Sequence, residues 1–288
     1  MLERPLQLLL NGLMAGSVLT VPAIGFTAMF AVLRFPNFAL AAHMTIGAFA
    51  GLAANTLLGL PAVASLGAAF VVAGLAGVAT DVTVLRPLRP SGALTVAIAS
   101  IALNIVLENA VRFGFGNDLR DYDLPLVRDW SVGGLRVGPQ QVENMALALA
   151  IMAGVFAFLA FTRTGKAMRA VADNPTLAAI KGIDPERVAR LISFAGMGLA
   201  GAGGMLLGLD TSVDPLLGFR ALLSVFAAAV VGGLGSIPGA VVGALAIGVA
   251  EEMSLIALPS TYRTAVGFVA ILLFLTFRPR GLLGERAV

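Results

Sequence analysis

Apolar residues run along this chain in long blocks broken by short polar punctuation. The blocks fall at about 6–33, 38–59, 62–84, 92–113, 142–162, 189–209, 219–233, 238–257 and 262–277. A membrane-crossing helix needs about 20 largely apolar residues, so the pattern predicts nine spans, within one either way. Four runs carry no formal charge at all: Pro5–Leu33, Phe35–Thr80, Ala221–Ala250 and Thr264–Phe277. The first block is long for one span and contains Pro22, which predicts a kinked or tilted helix. The block at 219–233 is short and ends in glycines, which predicts a half-helix.

Composition turns this pattern into a solvent assignment. Hydrophobic residues make up 58% of the 288 and charged ones 12%, with a mean hydropathy of +0.94. The medium around most of the chain is therefore lipid. The expectation is an all-α integral membrane protein, one polytopic bundle of about 8–10 transmembrane helices over residues 1–288. The opening MLERPLQLLLNG has one acid and one base before its apolar run, and reads as a retained first helix rather than a cleaved signal peptide.

The formal charge is +3, yet the bases are dispersed between apolar blocks, so no nucleic-acid partner is expected. Orientation follows from the positive-inside bias. With loops 85–91 and 163–188 and the tail from 278 in the cytoplasm, these segments plus Arg34 and Arg190 hold 12 of the 19 basic residues. The N-terminus and the loop at 114–141 then lie outside. That loop has four Asp, three Arg, Trp130 and Tyr122, and reads either as a solvated loop with interfacial aromatics or as a docking surface for an external partner.

The loop at 163–188 is the most structured polar piece. Asn174 followed by Pro175 starts a helix, Gly182 can end it in a left-handed turn, and Asp184–Pro185 starts the next. A helix of about 7 residues is only about 10 Å long and is unstable alone in water. It must rest on the membrane, on the rest of the chain, or on a cytoplasmic protein; its length, caps and basic charge favour docking a partner.

Reaction chemistry is thin. Gly165–Lys166 imitates a phosphate-binding loop, but the required first Gly and the Ser/Thr after Lys are Ala160 and Ala167. His43 is the sole histidine and cysteine is absent, which excludes disulfides and cysteine-ligated metals. No metal site, cofactor or catalytic group is expected in this chain. Among charges within spans, Glu108 and Arg112 lie four apart and can pair, Glu251 and Glu252 end a span at the interface, and Asp81 faces the cytoplasmic headgroups. No chain of acids crosses the spans, which disfavours a proton- or sodium-driven carrier.

Glycine is the other signal. In GGLGSIPGAVVGALAIGVAEE, Gly239, Gly243 and Gly248 allow close helix approach. Gly232, Gly233, Gly235 and Ser236 break the helical pattern inside an apolar region, where bare backbone is tolerated beside an aqueous cavity. Pro36 and Asn37 offer a looser counterpart in the first half, giving a candidate inverted repeat around a transport path.

In order and spacing, LLLNGLMAGSV, PNFALAAHMTIGA, RPLR, TGKAMRAVADNPTLAAIKGIDPERV, GLGSIPGAVVGALAIGVAEE and RPRGLLG resemble the branched-chain amino-acid ABC importer permease family of the LivH type over nearly the whole length. The resemblance implies a multi-pass permease of the bacterial inner membrane. Its implied partners are a second permease, identical or homologous, two cytoplasmic ATPase subunits that bind ATP and Mg, and a periplasmic solute-binding protein. It implies import of a branched-chain or other hydrophobic amino acid; the alternatives are urea, amide or aromatic carboxylate solutes on the same machinery, or a stand-alone secondary transporter. By this resemblance Gly165, Arg169, Asn174, Ala178 and Gly182 belong to the segment that couples to an ATPase. Family members usually continue Asn-Phe-Ala with His-Gly-Glu, whereas Asn37, Phe38 and Ala39 are followed by Leu40, Ala41 and Ala42, and His43 stands three positions late. His43 is then either a buried neutral imidazole bonded to a neighbouring helix or, with Asn37, Gly232, Gly233, Gly235 and Ser236, part of the substrate path.

Overall fold

The computed structural model describes residues 3–124, 128–132, 134–278 and 280–284. Residues 125–127 and 133 of the loop read as external, and Arg286 of the basic tail, lie outside them. The first half contains α1 (Glu3–Leu33), α2 (Leu40–Leu58), α3 (Ala62–Thr80), α4 (Arg86–Leu88) and α5 (Ala93–Phe115). A π turn, Asp81–Leu85, joins α3 to α4. A small antiparallel hairpin follows, β1 (Trp130–Val132) and β2 (Leu135–Val137), with Trp130 opposite Val137. Then come α6 (Pro139–Phe161), α7 (Arg163–Asp173), α8 (Pro175–Ile180), α9 (Pro185–Asp210), α10 (Leu217–Gly232), α11 (Ile237–Met253) and α12 (Ala265–Phe277).

Among the described residues eight helices are long and apolar enough to cross a membrane, and α10 is a shorter apolar ninth. The nine blocks of the sequence thus become nine apolar helices. At 16 residues, α10 is about 24 Å long, short of the roughly 30 Å hydrocarbon core. Pro22 lies inside an unbroken α1, where its ring packs on Gly203 of α9.

Glycine sets the packing because lipid supplies no hydrophobic drive between helices, and close backbone approach has to do the work. Helix α1 packs on α11, where a Cβ on Gly12 would come within 2.7 Å of Val249 Cα. Helix α9 packs on α3, where Gly74 faces Phe194 and Gly77 faces Met197. Helix α2 lies on α9 through Gly47 against Gly201, Gly204 against Met44, and Gly51 against Met205. The spans α1, α2 and α9 are 78, 72 and 78% buried, against 11% for α6 and 6% for the span containing α12. The first three therefore form the centre, and α6 and α12 the rim.

These pairings repeat under the exchange of α1, α2 and α3 with α9, α10 and α11. The α1–α11 contact becomes α9–α3, α2–α3 becomes α10–α11, and α2–α9 becomes α10–α1. The halves run in opposite senses. Helix α1 ends where Arg34 donates to the Ala172 carbonyl of α7, whereas α9 ends beside Val213, which pairs through its backbone with Arg120 near the hairpin end. The chain is an inverted repeat.

That symmetry corrects one sequence expectation. The counterpart of the break at Asn37 is the stretch 211–216 between α9 and α10. Gly232, Gly233, Gly235 and Ser236 instead form the link from α10 to α11, matching the link through Gly59 to Pro61 between α2 and α3. Gly233 and Gly235 adopt left-handed φ values of +109° and +93°, conformations glycine reaches without a Cβ clash. The carbonyls left free at the end of α10 accept the tail: Leu282 N–H donates to Val231 and Leu283 N–H to Gly232, at 2.8 and 2.9 Å.

Two charge expectations also change. Asp81 is 2% exposed and both of its carboxylate oxygens accept from one guanidinium nitrogen, Arg89 Nη2, at 2.7 and 2.9 Å, so it does not face headgroups. Glu251 and Glu252 are both buried instead of interfacial. Ser224 donates to Glu251 at 2.6 Å, and Arg263 lies 2.7 Å from Glu252. Glu108 and Arg112 pair at 2.8 Å, one turn apart.

Candidate functional site: a capped surface helix and two helix starts

Two features stand out once structural packing is accounted for. The first is the segment 163–188. Thr162 caps α7 by accepting the Gly165 N–H at 2.9 Å, and Gly165 itself lies tight against the end of α6, where a Cβ would meet Leu159 Cα at 2.5 Å. Met168 and Val171 bury the inner face of α7 in the main core with Ala178 and Val188. Lys166 and Arg169 lie on the exposed face.

Asn174 Oδ1 accepts the Leu177 N–H at 2.9 Å, with Pro175 at the first helical position of α8. The helix closes in a Schellman turn: Gly182, at φ +84°, donates to Ala179 and Ile183 donates to Ala178, both at 3.0 Å. Asp184 then caps α9 through the Glu186 and Arg187 N–H groups at 2.9 and 3.4 Å. So α8 is a six-residue element fixed at both ends and anchored by Ala178. Its outer face carries Leu177, 53% exposed, and Ile180, 75% exposed. Sequence reading found the caps but missed α7 and these two apolar side chains. The signal for α7 was present in the i, i+3 spacing of Gly165, Met168 and Val171.

The second feature is the pair of breaks. Asn37 is buried, and its Oδ1 accepts the Ala39 N–H at 3.2 Å. Helix α5 completes this helix start: Ser100 Oγ accepts the Phe38 N–H at 3.0 Å and Asn104 Oδ1 the Ala42 N–H at 2.7 Å. In the other repeat Asp214 Oδ1 accepts the Leu216 N–H at 2.7 Å and pairs with Arg220. The two starts meet, since Thr45 Oγ1 of α2 accepts the Gly218 N–H of α10 at 3.1 Å, and Gly218 leaves room for the Ala41 carbonyl. Beside them Phe26, Phe38 and Phe226 form an aromatic group with centroids 5.6–6.4 Å apart. Phe38 and Phe226 are only half-buried.

His43 is fully buried. Its Nδ1 lies 2.8 Å from the Ala39 carbonyl, which can only accept, and Nε2 lies 3.3 Å from Thr80 Oγ1 of α3. The ring therefore bonds to a neighbouring helix and presents no surface. Asn37 lies just before α2 and His43 in its first turn, while Gly232, Gly233, Gly235 and Ser236 meet α11 and the tail; Gly239 N–H donates to Ser236 Oγ at 3.1 Å. The structure does not bring the two groups together. Among the described residues no group of three or more His, Asp or Glu could hold a metal ion.

The hairpin end supplies a further polar surface. Gln7 fastens β2 to α1 by donating to the Arg136 carbonyl at 2.8 Å and accepting its N–H at 2.9 Å. Beneath it lies a cavity of about 540 Å³ bordered by Asn55, Asp123, Asp129, Gln140 and Glu143. Tyr122 is buried here and donates to the Ala48 carbonyl at 2.8 Å. Burial pushes its phenol well above the ordinary value because the phenolate would lose its hydration.

Comparison with known proteins agrees with this architecture. The high-affinity branched-chain amino acid transport system permease protein BraD of Pseudomonas aeruginosa is 33% identical, over 98% of this chain and 97% of that protein. The corresponding LivH protein of Escherichia coli K12 is 33% identical over 98% and 96%. A probable branched-chain amino acid transport permease LivH of Methanocaldococcus jannaschii is 28% identical over 96% and 92%. Among solved structures, PsaBC from Streptococcus pneumoniae in complex with Fab superposes with a TM-score of 0.50 at 15% identity, over 95% of this chain and 92% of that one, a likeness of fold alone. Residues 8–277 match the branched-chain amino acid transport system permease component family, and this multi-pass membrane chain belongs to it.

Proposed function

We propose that this chain is the membrane subunit of an ATP-driven importer that carries a branched-chain or similarly hydrophobic amino acid into the cytoplasm across the bacterial inner membrane. It works with a second permease, two cytoplasmic ATPases that supply ATP and Mg chemistry, and a periplasmic binding protein at the hairpin end. The relatives named for branched-chain transport support the solute class. The observation that carries the coupling role is α8, a capped helix whose Leu177 and Ile180 point away from the protein. Exposed apolar groups on a rigid short helix fit the groove of a partner protein.

In this reading Gly165, Asn174, Ala178 and Gly182 hold the shape of the docking segment, and Arg169 with α8 meets the ATPase. Closure of the ATPases moves the segment and shifts the spans between inward- and outward-open states. The solute passes the face of Phe38 and Phe226, beside the facing starts of α2 and α10, with Asn37 as cap. Gly232, Gly233, Gly235 and Ser236 form the link at the cytoplasmic mouth.

The test is reconstitution in liposomes with L-leucine as probe. Uptake is expected to require ATP, the ATPases and the binding protein together. Uptake by this chain alone, driven by an ion gradient, would overturn the proposal.

A further inference from the structure

A buried carboxylate at the end of a membrane span is costly unless paired, and Asp81 is 2% exposed. It opens the π turn that joins α3 to α4. Such turns widen a helix at a cost and often mark functional sites. One guanidinium nitrogen of Arg89, Nη2, donates to both carboxylate oxygens, a charge-assisted contact stronger than a neutral hydrogen bond. The same Arg89 lies 3.8 Å from Glu186, and Arg86 lies 2.8 Å from the other Glu186 oxygen.

Glu186 is in the first turn of α9, two residues after the Asp184 cap. Only the Schellman turn at Gly182 separates it from α8. On the far side, Thr80 directly precedes Asp81. Its hydroxyl has one proton and two acceptors within reach, the Gly77 carbonyl at 3.0 Å and His43 Nε2 at 3.3 Å. His43 in turn holds the Ala39 carbonyl at the start of α2. Two polar links, one from Glu186 through Arg89 to Asp81 and one from Thr80 through His43 to Ala39, are thus joined by the Thr80–Asp81 backbone and run from the docking segment to the helix start at Asn37.

We propose that Glu186, Arg86, Arg89, Asp81, Thr80 and His43 form a strut that transmits movement of α8 and α9 through the π turn after α3 to the start of α2. This rests on the reading of α8 as the docking helix. The six are positioning residues, and none need touch the solute. Coupling over such a distance requires an element with two arrangements, and the Thr80 hydroxyl, with two alternative acceptors, supplies one. The identity of position 43 follows from this role: a neutral imidazole can donate to Ala39 and accept from Thr80 at once.

The experiment uses the whole reconstituted complex with L-leucine and its binding protein. Glu186→Gln, Arg86→Gln and Thr80→Val are each expected to lower the binding-protein stimulation of ATP hydrolysis by at least about fivefold, a loss of about 1 kcal/mol of coupling. Co-purification of the ATPases and their basal hydrolysis should not change. The double variant Arg86→Gln/Glu186→Gln should be no worse than the poorer single one, because both break one link. Parental stimulation in Glu186→Gln and Thr80→Val, or independent multiplication of the two arginine–glutamate effects, would overturn the strut. A control separates the underlying reading: Leu177→Glu/Ile180→Glu should lose the ATPases on purification, and their retention would remove α8 as the docking helix whatever the strut does.

Discussion

Asn37 and Asp214 make the same bond in opposite halves of the protein: each side-chain Oδ1 accepts the backbone N–H two residues on, from Ala39 and from Leu216. Each also accepts through its main-chain oxygen from the residue three on, Leu40 and Leu217. One repeat enters its helix from the basic end and the other from the hairpin end. A helix start buried in apolar surroundings must have its free N–H groups satisfied from within, and the inverted repeat solves this twice with one turn. The difference is charge. Asp214 is accompanied by Arg220 and Asn37 needs no counter-ion.

Removing either cap should therefore have unequal consequences. Asn37→Ala is expected to cost about 1 kcal/mol, seen as a drop of a few degrees in the melting temperature of the detergent-solubilised protein. Asp214→Ala should cost more, because Arg220 loses its partner as well. Asp214→Asn keeps the cap but not the ion pair, and should recover about 1 kcal/mol of the Asp214→Ala loss; a loss in Asp214→Asn as large as in Asp214→Ala would contradict the shared turn.

The glycines predict opposite signs for one chemical change. A Cβ on Gly204 would collide with the backbone of Met44, which cannot step aside, whereas one on Gly154 meets nothing within 4 Å. Gly204→Ala should destabilise by about 1–3 kcal/mol through separation of α9 from α2. Gly154→Ala should stabilise α6 by up to about 1 kcal/mol. Paired thermal melts in the same detergent check both.

What the sequence made legible follows from where its signals are local. Asn174, Pro175, Gly182 and Asp184 act within a turn of their own positions, so the boundaries of α8 could be read directly. The Glu108–Arg112 pair was legible for the same reason. The sequence hints at the repeat but does not show that Asn37 has its counterpart at 211–216, since a counterpart is defined by packing and the halves share little sequence. In a soluble protein an apolar stripe tells the buried face. Here lipid-facing and core-facing residues are both apolar, so nothing local shows that α2 is central and α12 peripheral. Asp81, Glu251 and Glu252 were misplaced for a related reason: their partners come from other helices or later loops.

Tyr122 gives a pH prediction. Because burial raises its phenol above the usual value of about 10, the folded protein keeps this proton where an unfolded chain gives it up. The native state then binds more protons, and stability falls as pH rises from about 10 through the folded value, with no effect below. In a Tyr262→Phe background, ultraviolet titration should show no phenolate near pH 10 until the protein unfolds. Tyr122→Phe should remove this alkaline sensitivity, at the loss of the bond to Ala48.

At the hairpin ends of α11 and α12, Arg263 decides whether two buried acids are tolerated. It lies 2.7 Å from Glu252 and 3.8 Å from Glu251, and it joins the lipid-facing α12 to the rest of the bundle. Arg263→Gln leaves the Glu252 carboxylate buried without its counter-ion, at an expected cost of about 1–3 kcal/mol. Adding Glu252→Gln removes the stranded charge and leaves two neutral amides able to bond to each other, so the double variant should melt closer to the parent than the single one. If the double variant is the less stable of the two, charge compensation is not what Arg263 contributes. The same comparison on transport separates stability from function, because the pair lies at the opposite end from α8 and should leave ATPase co-purification unchanged.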